Sequence, residues 1–172
     1  EVVYKLTNML GTKMEPKEVQ AITAGGTQNS RVYQLYIEGM GYLSRRDSEG
    51  YDRAMELFQE TIEKDPNFVR SYAALAETYW RKYDDTHNTQ WAKRGLEYGQ
   101  EAIARMEQDI PEVYITMALV YNGMENFKKA LGMLDKLGEQ NQVGYQVLTE
   151  KAKAYKGLGE ADKAEEFYRR AI

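Results

Sequence analysis

The sequence contains no cysteine, a single histidine and only three prolines in 172 residues. The absence of cysteine excludes disulfides, thiol catalysis and zinc or iron–sulfur sites that use thiolate ligands. The one histidine, His87, lies in the polar stretch 84–88, where we interpret it as a solvated loop residue. Since a zinc site needs about three or four suitably spaced ligands, we expect neither a metal nor a cofactor.

Excess positive charge is also missing. The formal net charge is −4 and the sequence pI is about 5.2. Because proteins that bind phosphate backbones usually carry a basic excess or stripe, we predict no nucleic-acid partner. No apolar run reaches the roughly 18–20 residues of a membrane helix, so we predict no membrane partner within this sequence. With the lack of cysteine, this favours a cytoplasmic location as our expectation.

Catalytic motifs are absent as well. Gly39-Met40-Gly41 has the first two glycines of a nucleotide-binding loop, but Ser44 stands at the third position and the flanks are helical in pattern. Acidic pairs such as Glu165-Glu166 are typical of solvated helix faces. No nucleophile elbow or kinase loop occurs. We therefore predict that the chain is not an enzyme.

What the sequence does contain is a repeat. The clearest unit has Leu148, Ala152 and Tyr155 on one helical stripe, followed by a second stripe on Ala164 and Tyr168. Such spacing places apolar residues on one face of an α-helix. The preceding unit has the same order, and 34 residues separate its Tyr121 from Tyr155. Short glycine-containing breakers divide the stripes, which predicts antiparallel helix pairs.

The pattern divides the chain into about four units, at residues 31–66, 67–110, 111–142 and 143–172. Each first helix carries a small residue that allows a partner helix to approach, namely Gly39, Ala76, Ala118 and Ala152. Two units are regular. In the other two we expect longer turns between the helices, around Asp47–Gly50 and at an insertion over Asp84–Gln90.

These residues resemble the tetratricopeptide repeat (TPR). Its first-helix pattern matches Leu35/Gly39/Tyr42 and Leu148/Ala152/Tyr155, and its second-helix pattern matches Ala164/Tyr168/Ala171. The first-helix tryptophan of the family is absent, and Gly95 and Gly99 depart from the second-helix pattern. The resemblance implies an all-α, right-handed superhelical α-solenoid of about four antiparallel helix pairs, with an N-terminal capping helical segment. It also implies a non-enzymatic scaffold for protein–protein interaction.

By the same resemblance, first-helix positions line a concave groove that binds a peptide segment or protein partner. The candidate positions run from an aromatic and apolar end to a basic end, and residue types such as Tyr, Trp, Met and Arg are enriched at interface centres. They are Tyr33, Tyr36, Met40, Arg70, Ala73, Glu77, Trp80, Glu112, Ile115, Leu119, Asn122, Gln146, Thr149, Lys153 and Lys156. The alternative for Tyr33 and Tyr36 is packing against the N-terminal segment.

One known use of the family is not expected here. Its carboxylate clamp holds the C-terminus of chaperone tails with Lys and Asn side chains. Tyr36 and Met40 occupy two of the positions where such a clamp would need them. A partner segment would instead place apolar groups against Tyr33, Tyr36, Met40 and Trp80, and an acidic end near Lys153 and Lys156.

Residues 1–30 precede the repeats and leave two readings open. Val2, Val3, Leu6, Met9 and Leu10 share one helical face, which suits a cap for the array. The run from Val3 to Gly39 resembles a junction in bacterial signalling proteins. There, a TolB-amino-terminal-like domain precedes such repeats and follows a kinase, adenylate cyclase or winged-helix domain. The resemblance implies a regulatory or assembly role in such a protein.

A second hypothesis concerns self-association. Phe167, Tyr168 and Ala171 lie on the last predicted helix, where we expect an uncovered apolar face. An exposed repeat face invites stacking against another copy, so homodimerisation is the alternative function.

Overall fold

The computed structural model describes residues 27–137 and 144–172. Within these ranges the chain forms eight α-helices and no strand, which confirms the all-α prediction. They are α1 (Ser30–Ser44), α2 (Ser48–Lys64), α3 (Val69–Thr86), α4 (Thr89–Arg105), α5 (Pro111–Gly123), α6 (Phe127–Leu134), α7 (Tyr145–Gly157) and α8 (Ala161–Arg170). The predicted N-terminal cap lies outside the described residues.

Local chemistry fixes several of these helix starts. The Asn29 side chain caps α1 by accepting hydrogen bonds from the backbone N–H groups of Arg31 and Val32. Asp47 and Asn88 cap α2 and α4 in the same way. These side chains satisfy donors that have no partner inside the helix. Pro111 opens α5, where its missing N–H has no cost.

The prediction of two long turns between helices is wrong. Asp47 is the N-cap of α2, and Gly50 already lies within the helix. The residues from Asp84 extend α3 to Thr86, and the chain reverses over His87 and Asn88 alone. His87 makes this possible by adopting a left-handed conformation with φ of 53°. Since no glycine or proline interrupts residues 80–90, nothing ends α3 earlier.

The helices form two layers. Each first helix (α1, α3, α5, α7) packs against the second helix of its own pair (α2, α4, α6, α8). The first helices are also neighbours, because α1 contacts α3, α3 contacts α5 and α5 contacts α7. Buried side chains such as Phe58, Leu75, Met117 and Leu134 fill the space between the layers. The first helices therefore share one continuous surface, as a solenoid requires.

The repeated tyrosine near the end of the first helix has an equivalent environment in the third and fourth units. Lys129 lies over the ring of Tyr121, and Lys163 lies over the ring of Tyr155, with the ammonium nitrogens 5.6 and 5.0 Å from the ring centroids. These pairs are related by the same step of 34 residues. In the second unit, Tyr79 stacks on aromatic rings of α4 instead. The tyrosine thus helps to join the two helices of a pair through its ring face.

None of the helices in the described ranges is both long and apolar enough to cross a membrane.

The small residue of α1 provides a test of the helix-pair packing. A Cβ at Gly39 would lie 2.6 Å from Cε1 of Phe58, which is fully buried, whereas a Cβ at Gly41 would meet nothing within 4 Å. We expect Gly39→Ala to lower the free energy of unfolding by about 1–3 kcal/mol through overpacking. The matched variant Gly41→Ala should raise it by about 0.5–1 kcal/mol, because alanine favours the helix. Urea denaturation of both variants measures these changes, and equal effects would contradict the packing.

Candidate functional site

The aromatic end of the first-helix surface lies on α1. Tyr33 is 46% exposed, whereas Tyr36 is half-buried. The ring of Tyr36 meets that of Phe68 edge-on at 5.1 Å and that of Phe58 at 5.8 Å. Met40, one turn further, packs against the core formed by the first two helix pairs. Tyr36 and Met40 therefore contribute to the core as well as to the surface.

Burial has a chemical effect at Tyr36. Loss of hydration raises the pKa of its hydroxyl to about 12, although the nearby Arg70 guanidinium opposes the shift. In α5, the hydroxyl of Tyr114 donates a hydrogen bond of 2.6 Å to the Asp109 carboxylate. That bond, together with burial, raises the pKa of Tyr114 to about 12. Both hydroxyls stay protonated at neutral pH, and the single O–H of Tyr114 is already used by Asp109.

The middle of the surface carries paired charges. Arg70 of α3 forms a 2.8 Å ion pair with Glu112 of α5. Arg81 donates two hydrogen bonds, of 2.9 and 3.2 Å, to Glu77 one turn earlier. Ion pairs on an exposed surface contribute little to stability, but they neutralise the charges that an incoming partner meets.

A pocket of about 300 Å³ opens between the first helices of the second, third and fourth pairs. Its lining comes from α3, α5 and α7, and so it exists only because these helices are neighbours. Four of the predicted residues are brought together here, with four more that were not predicted. The lining residues are Trp80, Arg81, Asp84, Leu119, Asn122, Gly123, Glu150 and Lys153.

A buried carboxylate organises one wall of this pocket. Glu150 is only 5% exposed. The Asn122 side-chain amide donates to its Oε2 at 2.8 Å and to its backbone carbonyl at 2.9 Å. Lys153 donates to its Oε1 at 2.6 Å. A buried charge is tolerated when it is paired and hydrogen-bonded in this way, and the pairing neutralises the positive charge of Lys153.

The other wall is aromatic. Trp80 is 6% exposed, because its indole packs against Ala92 and Val120 and directly over Gly123. Any Cβ at Gly123 would overlap the ring. Leu119 is half-buried beside it. Trp80 therefore contributes to the pocket as a packed, nearly buried side chain.

The remaining predicted positions lie apart from the pocket. Ile115 is half-buried on α5, and Gln146 and Lys156 are exposed on α7, with Lys156 in the last turn. Lys156 is therefore a solvated positive charge, whereas the charge of Lys153 is neutralised by its ion pair with Glu150. Ala73 is buried and Thr149 is half-buried. These placements are geometry alone and leave their part in binding a prediction.

The predicted self-association residues lie on α8 and at Ala171, the residue that follows it. The ring of Phe167 stacks on that of Tyr155 at 5.4 Å, with an interplanar angle of 4°. Lys151 and Arg170 lie over the Phe167 ring. Tyr168 is 36% exposed and Ala171 is half-buried. Of the aromatic rings on α8, Tyr168 is the one that faces solvent most openly.

Arg81, Asp84, Gly123 and Glu150 are the pocket residues that the sequence did not suggest. Arg81 and Asp84 follow Trp80 by one and four positions and lie on the same helix. The sequence did not indicate this for Asp84, because we expected a turn to begin there. Glu150 precedes Lys153 by three positions, so helical spacing was the available signal. No cluster of three or more potential metal ligands is found within residues 27–137 and 144–172.

Comparisons with known proteins agree with this geometry. Residues 145–172 match the family model described as tetratricopeptide repeat. No curated protein matches the chain. A crystal structure of MamA aligns with a TM-score of 0.60 and 19% identity, covering 90% of this chain and 81% of that chain. Another, "MamA MSR-1 C2", gives 0.57 and 22%, covering 83% and 76%.

A third solved structure is the TPR2AB domain of yeast Sti1 in complex with pHSP90. It aligns with a TM-score of 0.52 and 18% identity, covering 99% of this chain and 56% of that one. At such identities the likeness concerns the fold. The final helix pair is a tetratricopeptide repeat, and the described part of the chain has the fold of a TPR solenoid. The predicted all-α solenoid of antiparallel helix pairs is thereby confirmed for the described residues.

The raised pKa of Tyr36 predicts a pH dependence of stability. In the unfolded chain a tyrosine loses its proton near pH 10, whereas in the folded chain Tyr36 keeps it to about pH 12. Folded Tyr36 therefore binds more protons than the unfolded residue between these values, and stability falls as pH rises through this window. Urea denaturation from pH 9 to 12 should show this fall. It should be shallower in Tyr36→Phe, and an identical slope would contradict the desolvation.

The Glu150 network predicts a second effect. Glu150→Ala removes one of the two acceptors of the buried Asn122 amide and leaves only the backbone carbonyl, so we expect a loss of about 1–3 kcal/mol in the free energy of unfolding. Glu165→Ala is the control, because it removes an exposed carboxylate that also pairs with a cation on its own helix. That variant should stay within about 0.5 kcal/mol of the parent. Thermal unfolding of both variants measures the losses in stability. Equal losses would contradict a stabilising role of the hydrogen bonds around Glu150.

Proposed function

We propose that the chain is a non-enzymatic scaffold that binds a peptide segment or protein partner along the surface of its first helices. The observation that supports this most is the pocket shared by α3, α5 and α7, which no single helix pair could form. The first helices also carry the half-buried apolar side chains of Leu119, Ile115 and Tyr36 and the exposed ring of Tyr33. Half-buried apolar groups in a concave surface are typical of sites that take a partner.

The comparisons support the same class of function. The yeast Sti1 structure is described as a complex with pHSP90, so a solenoid of similar fold binds another polypeptide. The chemistry in this chain differs from the family's carboxylate clamp, because Tyr36 and Met40 replace two of its polar positions and Lys153 is neutralised by Glu150. We therefore infer a segment held chiefly by apolar contacts along Tyr33, Tyr36, Ile115 and Leu119. Lys156 would meet any acidic end.

Two exposed tyrosines allow a matched test. Tyr33 lies on the first-helix surface and Tyr168 on α8, and both are exposed. Peptides selected from a random library on the whole chain should bind Tyr33→Ser about tenfold more weakly or worse, since aromatic anchors contribute 1–2 kcal/mol or more. Tyr168→Ser should bind them as the parent does. Calorimetric titration measures both affinities.

Equal affinities of the two variants would contradict the placement of the site, and a library that yields no binder would contradict the function. Circular dichroism of each variant confirms that the fold is retained.

Self-association through α8 is the second candidate function, supported by the exposure of Tyr168. This candidate predicts that Tyr168→Ser, rather than Tyr33→Ser, is the variant that weakens association. Sedimentation equilibrium of the parent would show a concentration-dependent dimer, and Tyr168→Ser would weaken it whereas Tyr33→Ser would not. A monomer at all concentrations removes this candidate.

We also infer, from the resemblance of residues 3–39 to a signalling junction, that the scaffold is the regulatory or assembly part of a larger bacterial, cytoplasmic signalling protein. The sequence of the full-length protein tests the signalling role, because the resemblance predicts a kinase, adenylate cyclase or winged-helix domain before these residues. Cell fractionation of the full-length protein tests its location. An upstream domain with no output activity would remove the signalling role and leave the scaffold function in place.

A further inference from the structure

The pocket between α3, α5 and α7 has an uneven distribution of charge. Its two cations are both engaged, since Arg81 bonds to Glu77 and Lys153 bonds to Glu150. Asp84 also lines the pocket and is exposed. It forms no ion pair with any residue in the described ranges. The net charge left for a ligand is therefore negative and lies at Asp84.

The polar wall of the pocket likewise has an acceptor without a donor. Both donors of the Asn122 amide are used by Glu150, which fixes the orientation of the amide group. The Oδ1 atom on its other side is buried and accepts no hydrogen bond from the described residues. Asn122 is only 8% exposed, so this acceptor lacks ready access to solvent. A buried acceptor without a partner is uncommon and costly. Because Asn122 lines the pocket, a small shift of its side chain would present this acceptor to a donor of a ligand.

The other lining surface is apolar. Trp80 and Leu119 border the pocket, and the ring of Tyr83 lies 4.8 Å from that of Trp80. Such a wall suits a flexible alkyl stem that ends in a cation, which can also interact with the aromatic rings. A volume of about 300 Å³ is at the lower limit of ligand sites. It accommodates one long side chain rather than a complete ligand.

We propose that this pocket receives one arginine side chain of the segment bound in the groove. The guanidinium group would pair with the carboxylate of Asp84 and direct a second N–H towards Asn122, while its alkyl stem lies against Trp80 and Leu119. Arginine fits better than lysine, because its planar fork carries five donors in a geometry that matches a carboxylate. An acidic side chain would meet the uncompensated charge of Asp84. The inference rests on the proposed function, because the arginine belongs to a bound segment.

Nuclear magnetic resonance can test the pocket without a known partner. The probe is Nα-acetyl-arginine methylamide, added to the whole chain while the indole N–H signal of Trp80 is followed. A Trp91→Phe variant identifies that signal, since the chain has two tryptophans. The citrulline analogue is the matched control, because it keeps the shape of arginine and lacks its charge. We expect a saturable shift with the arginine probe and at least about fivefold weaker binding of the citrulline probe.

Two neighbouring carboxylates provide the variant control. Asp84→Asn should weaken binding of the arginine probe by about fivefold, whereas Asp85→Asn should leave it unchanged, because Asp85 does not line the pocket. Both side chains are exposed, so neither change should disturb folding. Equal binding of the two probes, equal effects of the two variants, or no shift at Trp80 would overturn the proposal.

The outcome is separable from that of the proposed function. If library peptides bind at Tyr33 and the arginine probe leaves Trp80 unchanged, the groove function stands and the arginine assignment falls. If the probe binds as expected and no peptide is selected, the pocket stands and the extended groove falls.

Discussion

The structure depends on the close approach of paired helices, which small residues in the first helices allow. Gly39 has no Cβ and so leaves room for the ring of Phe58. Ala76, Ala118 and Ala152 are completely buried at the corresponding positions. A larger side chain at any of them would force the two layers apart. Since packed interiors have few voids, such a displacement would propagate to the neighbouring pair. The same contacts therefore hold each pair together and set the spacing between first helices.

That spacing is what creates a site. The pocket is lined by three successive first helices, and its polar wall joins Asn122 of α5 to Glu150 of α7. Neither residue would form this wall if the third and fourth pairs were rotated differently. The Asn122–Glu150 contact is thus a polar connection between adjacent units, alongside the apolar one. It also determines which charges a partner meets, because it positions the carboxylate that neutralises Lys153.

The fold was largely predictable because apolar periodicity and small residues repeat with the helices that they specify. The tyrosines at 121 and 155 lie 34 residues apart and have equivalent environments in the structure. The turn lengths were not predictable in the same way. Polar residues from Asp84 read as an insertion, yet α3 continues through them, because His87 and Asn88 supply a complete turn in two residues. Local capping geometry, rather than polarity, decides where the helix ends.

The candidate site was predicted in part. Trp80, Leu119, Asn122 and Lys153 do converge, as their first-helix positions implied. The sequence could not show that Lys153 is neutralised, because this depends on the burial of Glu150 between two helices. Nor could it show that Trp80 is packed over Gly123. Charge and exposure at a surface depend on neighbours from other units, which periodicity alone does not specify.

The central claim is that the first-helix layer is the surface that binds a polypeptide. The most direct test is a structure of the whole chain with a bound peptide, or intermolecular nuclear Overhauser effects in that complex. Contacts to α1, α3, α5 and α7 are the predicted result. A peptide seated on α2, α4, α6 and α8, with the pocket between α3, α5 and α7 empty, would contradict it.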